Sequence, residues 1–143
     1  MWECPECHRN FRSPNQSHSC KLYPLESHFL NRNAVLEIIT RTILEHIEHW
    51  KGIRVTSVKN ALLVAAASTF LAIKVKSDRV DLELLLREEH DGFPVYKTVR
   101  VSKNRVAHFI ALDRTNDLDE TLFGLISQAY RENQSNHHLP VRP

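Results

Sequence analysis

The residues whose types and spacing could do chemistry are Cys4, Cys7, His18 and Cys20, all within the first segment, residues 1–21. Cys4-Pro5-Glu6-Cys7 has the C-x2-C spacing of a zinc knuckle, whose turn aims successive backbone N–H groups at the thiolates. His18 and Cys20 supply a second pair. Three thiolates and one imidazole complete a tetrahedron around Zn2+ and leave no open position for water, so the zinc expected here is structural. Phe11 would be the apolar plug, because a module this short cannot bury enough surface to fold without its metal. The His-x-Cys spacing is tighter than usual, and His8 stands as a competing ligand. The plain alternative is a set of surface thiols with two incidental histidines. Cysteines clustered beside a histidine favour ligation in a reducing compartment over a disulfide framework, which places the protein in the cytoplasm.

Other residues could bind rather than react. Lys97, Arg100, Lys103 and Arg105 form a run with no acid among them, and Arg9, Arg12 and Lys21 add charge to the finger. Such a run suits the phosphates of DNA or RNA, although Tyr96 is the only aromatic beside it that a base could stack on. A solvated strand face explains the same run, and a protein partner gripped by the finger or the sheet is the alternative to nucleic acid.

Catalysis finds little support. Asp81 and Glu83 project to one side of a strand, as paired metal-binding carboxylates do, yet no Lys follows at the spacing of such sites. Lys74 opposite Asp81 reads as an ordinary surface ion pair. His108 shares strand parity with Val106, Ile110 and Leu112, which suits a hydrogen-bonded core histidine. Glu45-His46-Ile47-Glu48-His49 is not the H-E-x-x-H order and reads as a solvated helix face. No phosphate loop or nucleophile elbow is visible, so no catalytic residue is assigned, and an enzyme with an unrecognised site is the second alternative.

The elements that must position these residues follow from patterning. Residues 69–87, TFLAIKVKSDRVDLELLLR, alternate on both sides of Lys76-Ser77-Asp78-Arg79 and read as a hairpin. A Ser77-Asp78 loop sets Val75 opposite Val80, Lys74 opposite Asp81 and Ile73 opposite Leu82. Residues 22–32 read as a linker from the finger to a core domain at residues 33–132. Asn33 caps a helix whose apolar stripe is Val35, Ile38, Ile39, Ile43, Ile47 and Trp50, and Gly52 stops it.

Residues 53–58 form a strand, residues 61–67 a buried strand or a short helical piece, and residues 95–101 and 106–112 further strands around a turn at Ser102-Lys103-Asn104-Arg105. Asp117 and Asp119 open a C-terminal helix, and residues 133–143 read as a disordered tail. The expected class is α+β: a meander of antiparallel strands covered by an N-terminal and a C-terminal helix, preceded by the finger. Composition agrees with an ordinary globular chain, at 42% hydrophobic, 25% charged and a formal charge of +2. No apolar run approaches the ~20 residues of a membrane span, and the start Met1-Trp2-Glu3-Cys4-Pro5 shows no secretory signal.

Taken together, the finger, the FLAIKVKSDRVDLELLL hairpin, SKNRVAHFIALD and the closing DLDETLFGLISQAY helix resemble a bacterial family, the domain of unknown function five-six-five-five, often preceded by a CCHC finger. The resemblance runs to about Tyr130, and its most specific part is Lys103-Asn104-Arg105 through His108 to Ala129-Tyr130. It implies the fold above and no established activity. Its members also occur fused to nuclease-like and nucleic-acid modules, which is an association and not a mechanism. Fingers of this kind often carry Gly after the second Cys, where this chain has His8.

Overall fold

The computed structural model describes residues 2–16 and 22–134. A two-stranded hairpin, β1 (Trp2–Glu3) and β2 (Asn10–Phe11), precedes the main body. A 3-10 turn at Leu25–Phe29 and helix α1 (Ala34–Ile47) follow. Six strands come next: β3 (Arg54–Val58), β4 (Ala61–Ala65), β5 (Thr69–Val75), β6 (Val80–Leu86), β7 (Val95–Ser102) and β8 (Arg105–Leu112). Helix α2 (Glu120–Glu132) closes the fold. The class is α+β, as the patterning implies: an antiparallel six-stranded sheet with two helices.

Both helices lie against β5 and β6, on one face of the sheet. That face buries Leu62, Val64, Leu71, Ile73, Leu82, Leu84 and Ile110 against Ile39, Ile43, Ile47, Leu122 and Ile126. Aliphatic burial on this scale is the main stabilising term, about 1.5–3 kcal/mol for each large side chain fully removed from water. Asn33 caps α1 by accepting from the Val35 N–H at 2.9 Å, and Asp119 caps α2 by accepting from Leu122 N–H at 2.9 Å. Within the expected α1 stripe Ile38 is 52% exposed, and Leu36 and Thr40 take the inward positions instead. After α1 the chain turns into β3 at Gly52, whose φ of +76° is a left-handed conformation that glycine adopts without a Cβ clash. His46 is more than a solvated residue, since its ring stacks on Phe123 of α2 at 4.0 Å between centroids.

The central hairpin has the register that its alternation demands, with Val75↔Val80, Lys74↔Asp81 and Ile73↔Leu82. The expected ion pair across it does not form. Lys74 Nζ reaches diagonally to Glu83 Oε1 at 3.7 Å, while Asp81 accepts from the Tyr96 hydroxyl at 2.9 and 3.1 Å, with Arg79 Nε at 3.8 Å. Asp81 faces Ala111 of β8, and so small a residue lets the long Tyr96 side chain cross over from β7.

The simple meander is also corrected. Strand order is β3-β4-β5-β6-β8-β7, so β7 lies outside β8. The chain leaves β6 at Leu86, opposite Val106 near the start of β8, and re-enters at Val95, opposite Ile110 near the far end. Residues 87–94 must therefore run the length of the sheet, and His108 holds them. Its Nδ1–H donates to Val106 O at 2.9 Å and its Nε2 accepts from His90 N–H at 2.8 Å. A carbonyl can only accept and an amide can only donate, so the two partners set the tautomer. His108 is fully buried, the core histidine that strand parity implies.

The residues expected as a linker are docked on the sheet: Tyr23 N–H donates to Ser57 O at 3.0 Å, and His28 Nε2 lies 2.7 Å from Ser57 Oγ. At the other end, only Asn133 and Gln134 of the expected tail are described. Asn133 is 5% exposed and donates from Nδ2 to Leu85 O at 3.0 Å and Ala129 O at 2.9 Å, closing α2 onto β6. Among the described residues no helix is long and apolar enough to cross a membrane.

Candidate functional site

The N-terminal hairpin is built around Cys4-Pro5-Glu6-Cys7. Cys4 N–H donates to Arg9 O at 2.9 Å and His8 N–H to Cys4 O at 2.8 Å, which curls the turn on itself. Both cysteines are buried, at 4% and 8% exposure, and Trp2 packs across the hairpin on Phe11 with centroids 6.0 Å apart. His8 has φ +63°, the left-handed conformation that explains why glycine suits this position. Its imidazole is exposed, with Nδ1 3.3 Å from Glu3 Oε2. His18 and Cys20, expected to complete a ligand set, lie outside the described residues, as does Lys21. Among the described residues no three His, Cys, Asp or Glu side chains gather as a metal site.

The basic run is divided by the fold. Lys97 pairs with Phe109 on the face opposite the helices, and its ammonium sits 4.6 Å from the Phe109 ring centroid. Arg100 pairs with Val106 on the other face and donates to Ser102 O at 3.2 Å and Lys103 O at 2.9 Å, so it closes its own hairpin. Lys103 is exposed in that turn. Arg105 turns elsewhere, and its Nη2 donates to Ser68 Oγ at 3.3 Å. Ser68 in turn donates to Asn133 Oδ1 at 3.4 Å, so a relay from the end of α2 orients the Arg105 guanidinium through a neutral group and leaves its charge in place.

Arg105 also lines a cleft of about 380 Å3 between the N-terminal hairpin and the sheet. Among the described residues four arginines line it: Arg9 and Arg12 from the N-terminal hairpin segment, Arg54 from the start of β3 and Arg105 from the start of β8. They line one cleft because register places Arg54 beside Ala65, Ala65 beside Thr69, and Leu86 beside Val106, so these strand ends share one end of the sheet. Thr56, Ser68 and Thr69 contribute hydroxyls, and among the described residues no Asp or Glu lines the cleft. Among the described residues no carboxylate pairs with Arg12, Arg54 or Arg105. Guanidinium groups grouped this way match the geometry of phosphate or carboxylate oxygens. The sequence reading identified Arg9, Arg12 and Arg105 but missed Arg54 and Ser68. Arg54 stands alone at a strand start, and only sheet register brings it to the others.

A family model described as a domain of unknown function (DUF5655) matches residues 25–133. The chain belongs to this family. The DUF5655 portion holds the docked 3-10 turn, both helices, the whole six-stranded sheet and the cleft residues Arg54, Ser68 and Arg105, whereas Arg9 and Arg12 precede it. No curated protein and no solved structure matches the chain significantly.

Proposed function

We propose that the protein binds nucleic acid through phosphate contacts in this cleft, without doing chemistry on it. The observation that carries this reading is that Arg9, Arg12, Arg54 and Arg105 line one concave surface on which, among the described residues, no Asp or Glu lies. Buried carboxylates would neutralise such a site, and lysines scattered on a convex surface would not focus it. In this reading Cys4, Cys7, His18 and Cys20 hold a structural zinc, and the metal's task is to keep Arg9 and Arg12 over the sheet. The curled turn and the two buried cysteines support half of that ligand set. Elemental analysis should find a zinc per chain, and Cys20→Ser should weaken its retention.

The test is fluorescence anisotropy with DNA and RNA probes across a salt series. The log–log slope should be about −0.9 per phosphate neutralised on duplex and about −0.7 on single strands. Replacing Arg54 and Arg105 by Ala should weaken binding across sequences and flatten the slope by about one such step for each lost contact. Lys103→Ala, at the hairpin tip and not among the residues lining the cleft, should change little. No saturable binding at about 50 mM salt overturns the proposal.

A second reading, a protein-interaction module, draws on β7. It is an edge strand, and Tyr96, Val99 and Val101 on it are exposed large hydrophobics, as an added partner strand would require. The same series run with this chain and no nucleic acid bound would leave that reading in place.

A further inference from the structure

Resting on the nucleic-acid reading of the cleft, we infer that it seats one unpaired nucleotide of a single strand of DNA or RNA: the base on an apolar floor, the flanking phosphates on the arginine rim. The floor has a structural cause. Between β4 and β5 the register shifts, with Val64↔Leu71 but Ala65↔Thr69, so Phe70 is an extra residue. Phe70 and Leu71 are both fully buried, and the Phe70 ring lies 5.7 Å from Tyr130 of α2, so both side chains turn to the helix side. No large side chain of β5 is left on the open face at this end. The apolar side chains that line the cleft there are Leu63, Ala65, Ala67 and Leu85, all partly exposed.

The same cleft is lined by a planar cation on an aromatic ring, Arg9 over Phe11 with 5.4 Å from guanidinium carbon to centroid. Guanidinium planes and aromatic rings are the surfaces on which splayed bases stack. The volume, about 380 Å3, lies at the small end of the ~300–1,000 Å3 range of ligand pockets and suits a single nucleotide. A duplex keeps its bases paired and stacked, and so brings no apolar surface to a floor that lies behind a rim. Only an unpaired base can enter and still leave its phosphates among the arginines. Such a site has the chemistry to bind single strands of either sugar, because a π-face and a phosphate are common to both.

The experiment uses the full zinc-loaded chain and anisotropy of labelled single-stranded DNA, single-stranded RNA and a duplex of the same length. Single strands should bind about tenfold or more tighter than duplex, within what one stacked base contributes. Leu85→Lys is the decisive variant. It adds a cation beside the cleft, so purely electrostatic binding should tighten, whereas loss of the floor should weaken single-strand binding about tenfold. Should Leu85→Lys fold poorly, Ala65→Val fills the same floor with a smaller change and should give the same sign. Uridine 5′-monophosphate should compete at a lower concentration than inorganic phosphate. Equal affinity for duplex, or unchanged or tighter binding by both floor variants, overturns the seated nucleotide and leaves phosphate binding standing. Absence of saturable binding to every probe overturns both.

Discussion

His108→Leu tests what holds the crossover between β6 and β7. The substitution keeps the bulk of a fully buried side chain and removes two hydrogen bonds, to Val106 O at 2.9 Å and from His90 N–H at 2.8 Å. Each bond contributes about 0.5–1.5 kcal/mol net, so the pair contributes ~1–3 kcal/mol. Val106 lies in a strand paired on both sides and shielded from water, whereas His90 is exposed and can turn its N–H to water. The loss should therefore be local as well as global. At roughly 4 °C per kcal/mol for a domain of this size, the melting temperature should fall by ~4–12 °C. Circular dichroism follows the melting, and amide hydrogen exchange at His90 follows the crossover. His108→Gln, whose amide can both donate and accept, should recover part of the loss. A fall below about 0.5 kcal/mol with the His90 amide still protected would refute the reasoning, because the crossover would then be held by something other than His108.

Two further expectations come from polar groups at the sheet's margins. Burial lowers the pKa of His28 below its ordinary 6.5, so the unfolded chain takes up that proton first. The stability His28 contributes is complete above the unfolded value and is lost as pH falls through it toward the folded one. Urea midpoints should drop between about pH 7 and pH 5, and His28→Gln should flatten that drop; an unchanged profile would refute the linkage. Tyr96→Phe removes the hydroxyl that donates to Asp81 at 2.9 and 3.1 Å and should cost about 0.5–1.5 kcal/mol in denaturant unfolding, at the modest end because Tyr96 is half exposed and water can replace it. Burial, followed by the bond to Asp81, raises the Tyr96 pKa, so its absorbance titration should begin at higher pH than that of an ordinary tyrosine.

The features legible in the sequence are those whose cause is local. Alternation on both sides of Lys76-Ser77-Asp78-Arg79 determines which face each side chain takes, because a slip of one residue would expose Leu71, Ile73, Leu82 and Leu84 together. Asn33 and Asp119 mark helix starts because a short polar side chain can accept from an N–H only a few residues ahead. The turn at Cys4-Pro5-Glu6-Cys7 is likewise a property of a few consecutive residues. Strand order is different in kind. Nothing in residues 95–102 distinguishes a strand beside β6 from one beyond β8; the decision rests on His90 meeting His108 and on Tyr96 reaching Asp81 past Ala111. The basic run shows the same limit. Charge density along the chain put Lys97, Arg100, Lys103 and Arg105 together, but the pleat sends Lys97 and Arg100 to opposite faces. Arg105 instead joins Arg54, fifty-one positions earlier in the chain, because antiparallel pairing returns strand starts and ends to one edge of the sheet. Proximity in sequence decides which residues share a strand, and only tertiary pairing decides which charges share a cleft.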